Sequence, residues 1–543
     1  MKQGRLFINQ LWKEHDRAKE LLTFASANTP GIPSQSSQKN TGVKQSGPEP
    51  AYNRRKVIGL LLGPALFFFL MAFFHPDGLS QAGLSVLAST AWIATWWITE
   101  AIPIPATSLL PIILFPLTGG LEGDLTASAY GDNTIFLFMG GFLIALSMQK
   151  WDLHKRIALV IISAIGTSTE RIVLGFMVAT GFLSMWISNT ATSMMMVPIG
   201  LAVIYQVSEQ LDMNTEEETP RFNFGKAIML GIAYSASIGG LATLIGTPPN
   251  TIFAAVVNEL YGIEISFARW MMFGVPLMII LLFGCWYYLV KMAFPMKIKE
   301  LPGGREVITK ERKDLGEMSP EEKVILIVFS LTALAWISRS FVLSELNPNI
   351  NDTVIAMIAA MLLFLIPAPS KKGSFLLDWK TAKGLPWGIL LLFGAGLAIA
   401  SGFQESGLAK WIGEQLTVLE GIHLFVILLL VTALVIFLTE ITSNTATATM
   451  MFPIMASLSS AISVHPYALM IGAGVAASCA FMLPVATPPN AVVFGSGYLK
   501  IPDMARAGFW LNMTSIIIIT LAIYFYMPIV WGIDLTQFPA DLK

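Results

Sequence analysis

Charge is scarce in this chain. Only 13% of its 543 residues are Asp, Glu, Lys or Arg, where a soluble globular domain carries about a quarter. The formal net charge is −1 and no basic stripe is present, which argues against a nucleic-acid binder. Cysteine is nearly absent: Cys285 and Cys479 each sit inside an apolar run. Two such residues build no disulfide framework and offer no metal-ligand spacing. The five histidines are scattered, with no HExxH pair. No Gly-x4-Gly-Lys-Ser/Thr segment occurs, which excludes a P-loop ATP-driven pump. Glu100 and Glu440 stand alone among apolar residues. They make no nucleophile–base pair, so the chain does not read as an enzyme. Residues 1–56 are polar and hold no apolar leader segment.

Long apolar runs fill the rest. Val57–Phe74 reads VIGLLLGPALFFFLMAFF, without a charge. A helix of that length spans a hydrocarbon core of about 30 Å. Similar runs recur at Leu84–Thr99, Trp270–Val290, Val324–Ile337, Val354–Ile366, Gly388–Ala400, Phe425–Leu438 and Leu511–Val530. A soluble core protein would interrupt them with polar faces. The chain is therefore expected to be an all-α polytopic membrane protein.

Lys and Arg in short connections mark the cytoplasmic side. Residues 1–56 hold ten of them and Lys291–Lys323 eight, so both are expected inside. Lys150–Arg156, the connection with Lys371, Lys372, Lys380 and Lys383, and that with Lys500 and Arg506 also read as inside. His75–Gly83, Gly119–Asn133 and Phe341–Asp352 have none and read as outside. The alternation holds only if residues 172–207 and 422–462 each enter and leave on one side, as re-entrant helical hairpins. The expected topology has about eleven spans plus the two hairpins, with the N-terminus cytoplasmic and the C-terminus external. The expected domains are a cytoplasmic segment 1–56, with an amphipathic stretch Leu6–Leu22 and a flexible linker, and a first membrane half 57–290. A cytoplasmic loop 291–323, a second half 324–533 and a short tail 534–543 follow.

The two halves repeat each other. Ser188–Ile199 reads SNTATSMMMVPI and Ser443–Ile454 reads SNTATATMMFPI, nine of twelve positions identical. Thr247–Asn250 and Thr487–Asn490 are both TPPN, and Ile135–Ser147 lies over Ile389–Ser401. The charge pattern runs the segment at Ile135 inward and that at Ile389 outward, so the repeat is expected to be inverted. Inverted repeats with broken helices near the midplane are the architecture of secondary transporters.

Polar residues deep in a bilayer need partners. Where a hairpin turns, the carbonyl end of one arm favours a cation and the amide end of the next an anion. TPPN breaks a helix, because its prolines lack donors and hold the preceding threonine extended. That would free the carbonyls of Gly246 and Ala486 for a small hard cation such as sodium. Hydroxyls and amides of the SNT segments would then bind a carboxylate. No Lys or Arg lies in these elements, so bound cations would have to neutralise a di-anion.

The paired SNT and TPPN motifs, with Trp96–Pro111 (WWITEAIPIPATSLLP), resemble the divalent anion/sodium symporter family from about residue 55 to about 535. LHKRIAL at Leu153–Leu159 is most similar to its sodium–dicarboxylate branch. The resemblance implies a homodimer in the cell membrane, with a scaffold domain and an elevator-like transport domain. It implies sodium as coupling ion, no other cofactor, and import of succinate, malate and fumarate. A first sodium site would use Ser184, Ser188, Asn189 and Gly246, and a second Thr439, Thr442, Asn444 and Ala486. Substrate would lie between Asn189, Thr190, Asn444, Thr445 and Thr487, with Pro488, Ser188 and Ser443 alongside. Two alternatives stay open: a sodium-independent dicarboxylate exchanger, and a carrier of sulfate or another divalent anion. Glu440, opposite Met185 in the repeat, is either a water-facing or hydrogen-bonded acid or an extra cation or proton contact.

Overall fold

The computed structural model describes residues 54–166, 168–210, 223–296 and 304–542. The amphipathic stretch expected at Leu6–Leu22 lies outside them. Among the described residues the secondary structure is helical, with one isolated bridge between Pro367 and Phe375.

The principal helices are α1 (Arg54–Phe73), α2 (Gln81–Thr99), α3 (Asn133–Lys150), α4 (Leu153–Ile165), α5 (Thr169–Ser184), α6 (Asn189–Gln210), α7 (Asn223–Gly240), α8 (Pro248–Tyr261) and α9 (Phe267–Tyr287). They continue as α10 (Pro320–Ser338), α11 (Asp352–Leu365), α12 (Trp387–Glu405), α13 (Leu408–Leu416), α14 (Leu424–Thr439), α15 (Asn444–Ala461), α16 (Pro466–Ala477), α17 (Pro488–Phe494) and α18 (Ile501–Leu521). From α3 to α9 and from α12 to α18 the same order of elements occurs, with a helix break at each SNT and each TPPN. Local chemistry sets many starts. Ser80 accepts from Gly83 N at 2.9 Å, Asp132 from Thr134 N at 2.8 Å and Asn351 from Val354 N at 2.8 Å. Ser319 and Glu322 form a reciprocal box at the head of α10.

Seven helices among the described residues are long and apolar enough to cross a membrane, or up to eight if the pair Leu408–Leu419 and Leu424–Thr439, bent by 115°, is one span. The expected number was about eleven. The difference has a physical source: several apolar stretches form helices too short to cross a membrane. α8 and α11 have 14 residues each and α16 has 12.

α7 and α16 form the centre. Every residue from Phe224 to Gly240 and from Pro466 to Ala477 is buried, as befits helices that are mostly apolar around their circumference. Close approach there depends on glycine. A Cβ on Gly239 of α7 would collide with the Gly181 backbone of α5. At one end of the molecule, α3 is tied to the segment before α12. Lys150 pairs with Asp378 at 2.7 Å, and Trp151 Nε1 donates to Leu376 O at 2.8 Å. The outer faces are greasy: Leu61, Phe68 and Phe73 on α1 and Leu331 and Leu334 on α10 are exposed, as membrane-facing surfaces are.

Candidate binding site at the helix breaks

α5 ends at Ser184 and α6 starts at Asn189; α14 ends at Thr439 and α15 starts at Asn444. The two breaks build the same cluster. Ser184 Oγ lies 2.6 Å from Asn189 Oδ1 and 2.6 Å from the carbonyl of Ala236 on α7. Thr439 Oγ1 lies 2.7 Å from Asn444 Oδ1 and 2.9 Å from the carbonyl of Ala477 on α16. A hydroxyl has one proton, so each faces one more acceptor than it can serve. In the first cluster Gly246 O also converges. With the amide turned, the Asn189 nitrogen would donate to Ser184 Oγ, Ala236 O and Gly246 O at 2.6, 3.1 and 3.3 Å. With the oxygen inward, Asn189 adds a further neutral oxygen beside those of Ser184, Ala236 and Gly246. The donors are neutral hard oxygens from a hydroxyl, an amide and carbonyls at helix ends, a set that suits an alkali ion. The chemistry of the donor set therefore fits sodium.

The TPPN segments shape the loops that supply these carbonyls. Asn250 Nδ2 donates to Gly240 O, Leu241 O and Thr243 O at 3.0, 3.3 and 2.8 Å. Asn490 Nδ2 donates to Ala480 O and Leu483 O at 3.1 and 3.0 Å. The contacts reach ten and seven residues back in both copies. Each asparagine holds open the loop between its two half-helices. A Cβ on Gly240 would come 2.9 Å from Asn189 Oδ1 and 3.0 Å from Gly246 O, so only a bare backbone fits beside that cluster. Thr247 Oγ1 meets Ser478 Oγ at 3.5 Å, which brings the loops of the two halves together.

Other sequence-derived residues fall as follows. Asn189, Thr190, Asn444 and Thr445 are half-buried at the heads of α6 and α15, where helix amides favour an anion. Thr487 is buried and its Oγ1 accepts from Asn490 N at 3.3 Å; Pro488 beside it is exposed. Ser188 Oγ accepts from Ala191 N at 3.3 Å, whereas Ser443 makes no such cap. The Thr442 hydroxyl is committed to Leu438 O at 2.8 Å and Thr447 Oγ1 at 2.6 Å, which leaves its carbonyl for a cation. Ala486 stands on the second loop next to Thr487, its N–H donating to Leu483 O at 3.2 Å. Sequence reasoning missed Ala236 and Ala477, because a backbone carbonyl leaves no side-chain signature. It also missed Asn250 and Asn490, although the repeat of TPPN displayed both.

Glu440 is fully engaged. Its carboxylate accepts from the amides of Phe481, Met482 and Leu483 at 2.7, 2.8 and 3.1 Å, and from Asn512 Nδ2 at 2.7 Å. It holds the loop after α16 against α18. In the first half the opposite contact occurs: Thr243 Oγ1 of the loop donates to the carbonyl of Met185. The hydrogen-bonded reading of Glu440 is the one this geometry supports. The described residues contain no group of three His, Cys, Asp or Glu able to hold a metal, so a cation site here rests on neutral oxygens.

Comparison with known proteins agrees with this architecture. A family model described as the sodium:sulfate symporter transmembrane region matches residues 54–533. The chain belongs to the sodium:sulfate symporter family. Two relatives of this symporter are proteins named sodium-dependent dicarboxylate transporter SdcS. That of Staphylococcus saprophyticus is 54% identical over 496 residues, covering 91% of this chain and 95% of the relative. That of Staphylococcus aureus is 52% identical over 506 residues, covering 93% and 97%. The fold is also similar to two solved transporters. Neisseria gonorrhoeae MtrF, described among antimetabolite efflux pumps, has a TM-score of 0.52 at 12% identity, covering 87% of this chain and 95% of its own. Alcanivorax borkumensis YdaH has a TM-score of 0.53 at 13% identity, covering 88% and 97%. At those identities the likeness concerns the fold alone.

Proposed function

We propose that this symporter carries C4-dicarboxylates such as succinate, malate and fumarate into the cell together with sodium. One observation supports the reading most: two matched polar clusters, Ser184–Asn189–Ala236 and Thr439–Asn444–Ala477, stand at the same place in each half. The helix heads at Asn189 and Asn444 stand beside them. Sodium in each cluster supplies the positive charge that no Lys or Arg provides. A carboxylate then sits at each helix head, held by Thr190, Thr445 and Thr487, with Ser188, Ser443 and Pro488 alongside. Without sodium the di-anion would face a neutral, poorly hydrated site, and its desolvation would go uncompensated. This is the coupling. The names of the SdcS relatives support the dicarboxylate and the sodium. The word sulfate in the family description keeps sulfate as the competing anion.

The same reading takes the halves as an inverted repeat in the plasma membrane, with the N-terminus cytoplasmic and the C-terminus external. A scaffold domain forms a homodimer, and the two hairpins ride on a transport domain. The test is a sodium titration of succinate uptake. Removing one hydroxyl from an ion costs on the order of 1.5–3 kcal/mol, so Ser184→Ala and Thr439→Val should each raise the half-saturating sodium concentration about tenfold or more. Thr439→Ser should stay close to the parent. An unchanged sodium dependence in both Ser184→Ala and Thr439→Val would remove the clusters from the mechanism.

A further inference from the structure

A groove remains that the transport site does not use. It has a volume of about 850 Å³ and runs between the end of α9 and the start of α18. The apolar stretch of α9 continues to Ala293 and that of α18 begins at Ile501, so the groove lies where two spans reach the same membrane surface. Its walls are aromatic: Tyr287, Tyr288, Phe294 and Trp510. Tyr287 and Trp510 are 56% exposed each and continue into the exposed apolar faces of Ile280 and Phe283. Its floor is bare at Gly284, where an added Cβ would meet nothing within 4 Å. Two cations line its polar end. Lys226 is buried, pairs with Asp503 at 2.8 Å and rests over the Phe294 ring at 5.8 Å. Arg506 is exposed and makes no ion pair or hydrogen bond with the described residues. Among the described lining residues two positive charges face one negative charge, leaving one net positive.

We propose that this groove binds an anionic phospholipid, its phosphodiester on Arg506 and Lys226 and an acyl chain along Gly284 between Tyr287 and Trp510. A zwitterionic headgroup brings its own cation and gains little from the unmatched arginine. A peripheral protein segment fits less well, because the lower walls are continuous with membrane-facing surface. Aromatic rings at headgroup depth and basic pockets between spans are the chemistry that holds such lipids.

The full-length protein would be reconstituted in phosphatidylcholine vesicles containing an equal small fraction of either acyl-brominated phosphatidylglycerol or acyl-brominated phosphatidylcholine. Bromine quenches nearby tryptophan. The Trp510 contribution is isolated by subtracting the Trp510→Phe protein. Brominated phosphatidylglycerol should be preferred about fivefold at Trp510, the factor one basic residue supplies at an anionic surface. Arg506→Gln should bring the preference close to one. Gly284→Phe, whose Cβ has nothing within 4 Å and whose ring would take up the groove, should lower quenching by both lipids. Equal quenching by the two lipids in the parent protein would overturn the proposal. So would a preference that survives Arg506→Gln, or quenching unchanged by Gly284→Phe.

Discussion

At the residue scale, Glu440 separates structure from ion handling. Four donors saturate its carboxylate, and its counterpart Met185 contributes only a carbonyl. Glu440→Gln replaces one acceptor oxygen by an amide nitrogen facing those donors. Leaving buried amides unpaired costs about 1–3 kcal/mol, so the variant should melt earlier and lose uptake by a similar factor at every pH. A displaced pH profile with unchanged melting would instead assign Glu440 a proton. Asn189 and Asn444 stood out in the sequence as members of a polar triplet repeated inside apolar helices, whereas Ser184 and Thr439, four residues before each triplet, came from the family resemblance. The carbonyls of Ala236 and Ala477 were not legible there, since any residue supplies a carbonyl and only the end of α7 or α16 makes it available.

At the element scale, the buried pair α5 and α7 is held together by two glycines. A Cβ on Gly239 has no room, because it meets backbone rather than a flexible side chain. Overpacking of this kind costs about 1–3 kcal/mol, and here the arm carrying Ser184 would move with it. Gly239→Ala should therefore lower the melting temperature in detergent and weaken sodium activation together. Melting as in the parent would mean that the arms are not packed as described. The breaks at SNT and TPPN were readable from the sequence, as Pro pairs and Ser/Asn clusters end helices by known chemistry. Helix lengths were harder to read. Pro466–Ala477 and Pro248–Tyr261 are apolar enough to suggest spans, yet they stop after 12 and 14 residues, at Ser478 and at the left-handed Gly262. Hydropathy counts apolar residues and does not register where a helix turns back.

At the scale of the whole molecule, the two loops of the repeat differ in access. Val485 is 82% exposed, and Ile245, its equivalent 240 residues earlier, is 6% exposed. Ile245 packs toward Gly141 of α3, where a Cβ would approach its side chain at 3.0 Å. The second loop is thus exposed where the first is covered. If the halves exchange these roles during transport, single cysteines should report it. Val485→Cys should react with a polar maleimide and Ile245→Cys should be protected, and conditions that drive turnover should shift reactivity toward Ile245→Cys. The native Cys285 and Cys479 are buried and give little background. Fixed reactivity at both positions through turnover would argue against an exchange of access.

The most direct test of coupled transport is radiolabelled succinate uptake by the purified protein in proteoliposomes, with an inward sodium gradient or with choline in place of sodium. The mechanism predicts accumulation above the external concentration with the sodium gradient and none with choline. Uptake that is indifferent to sodium but requires internal dicarboxylate would contradict it and make the protein an exchanger.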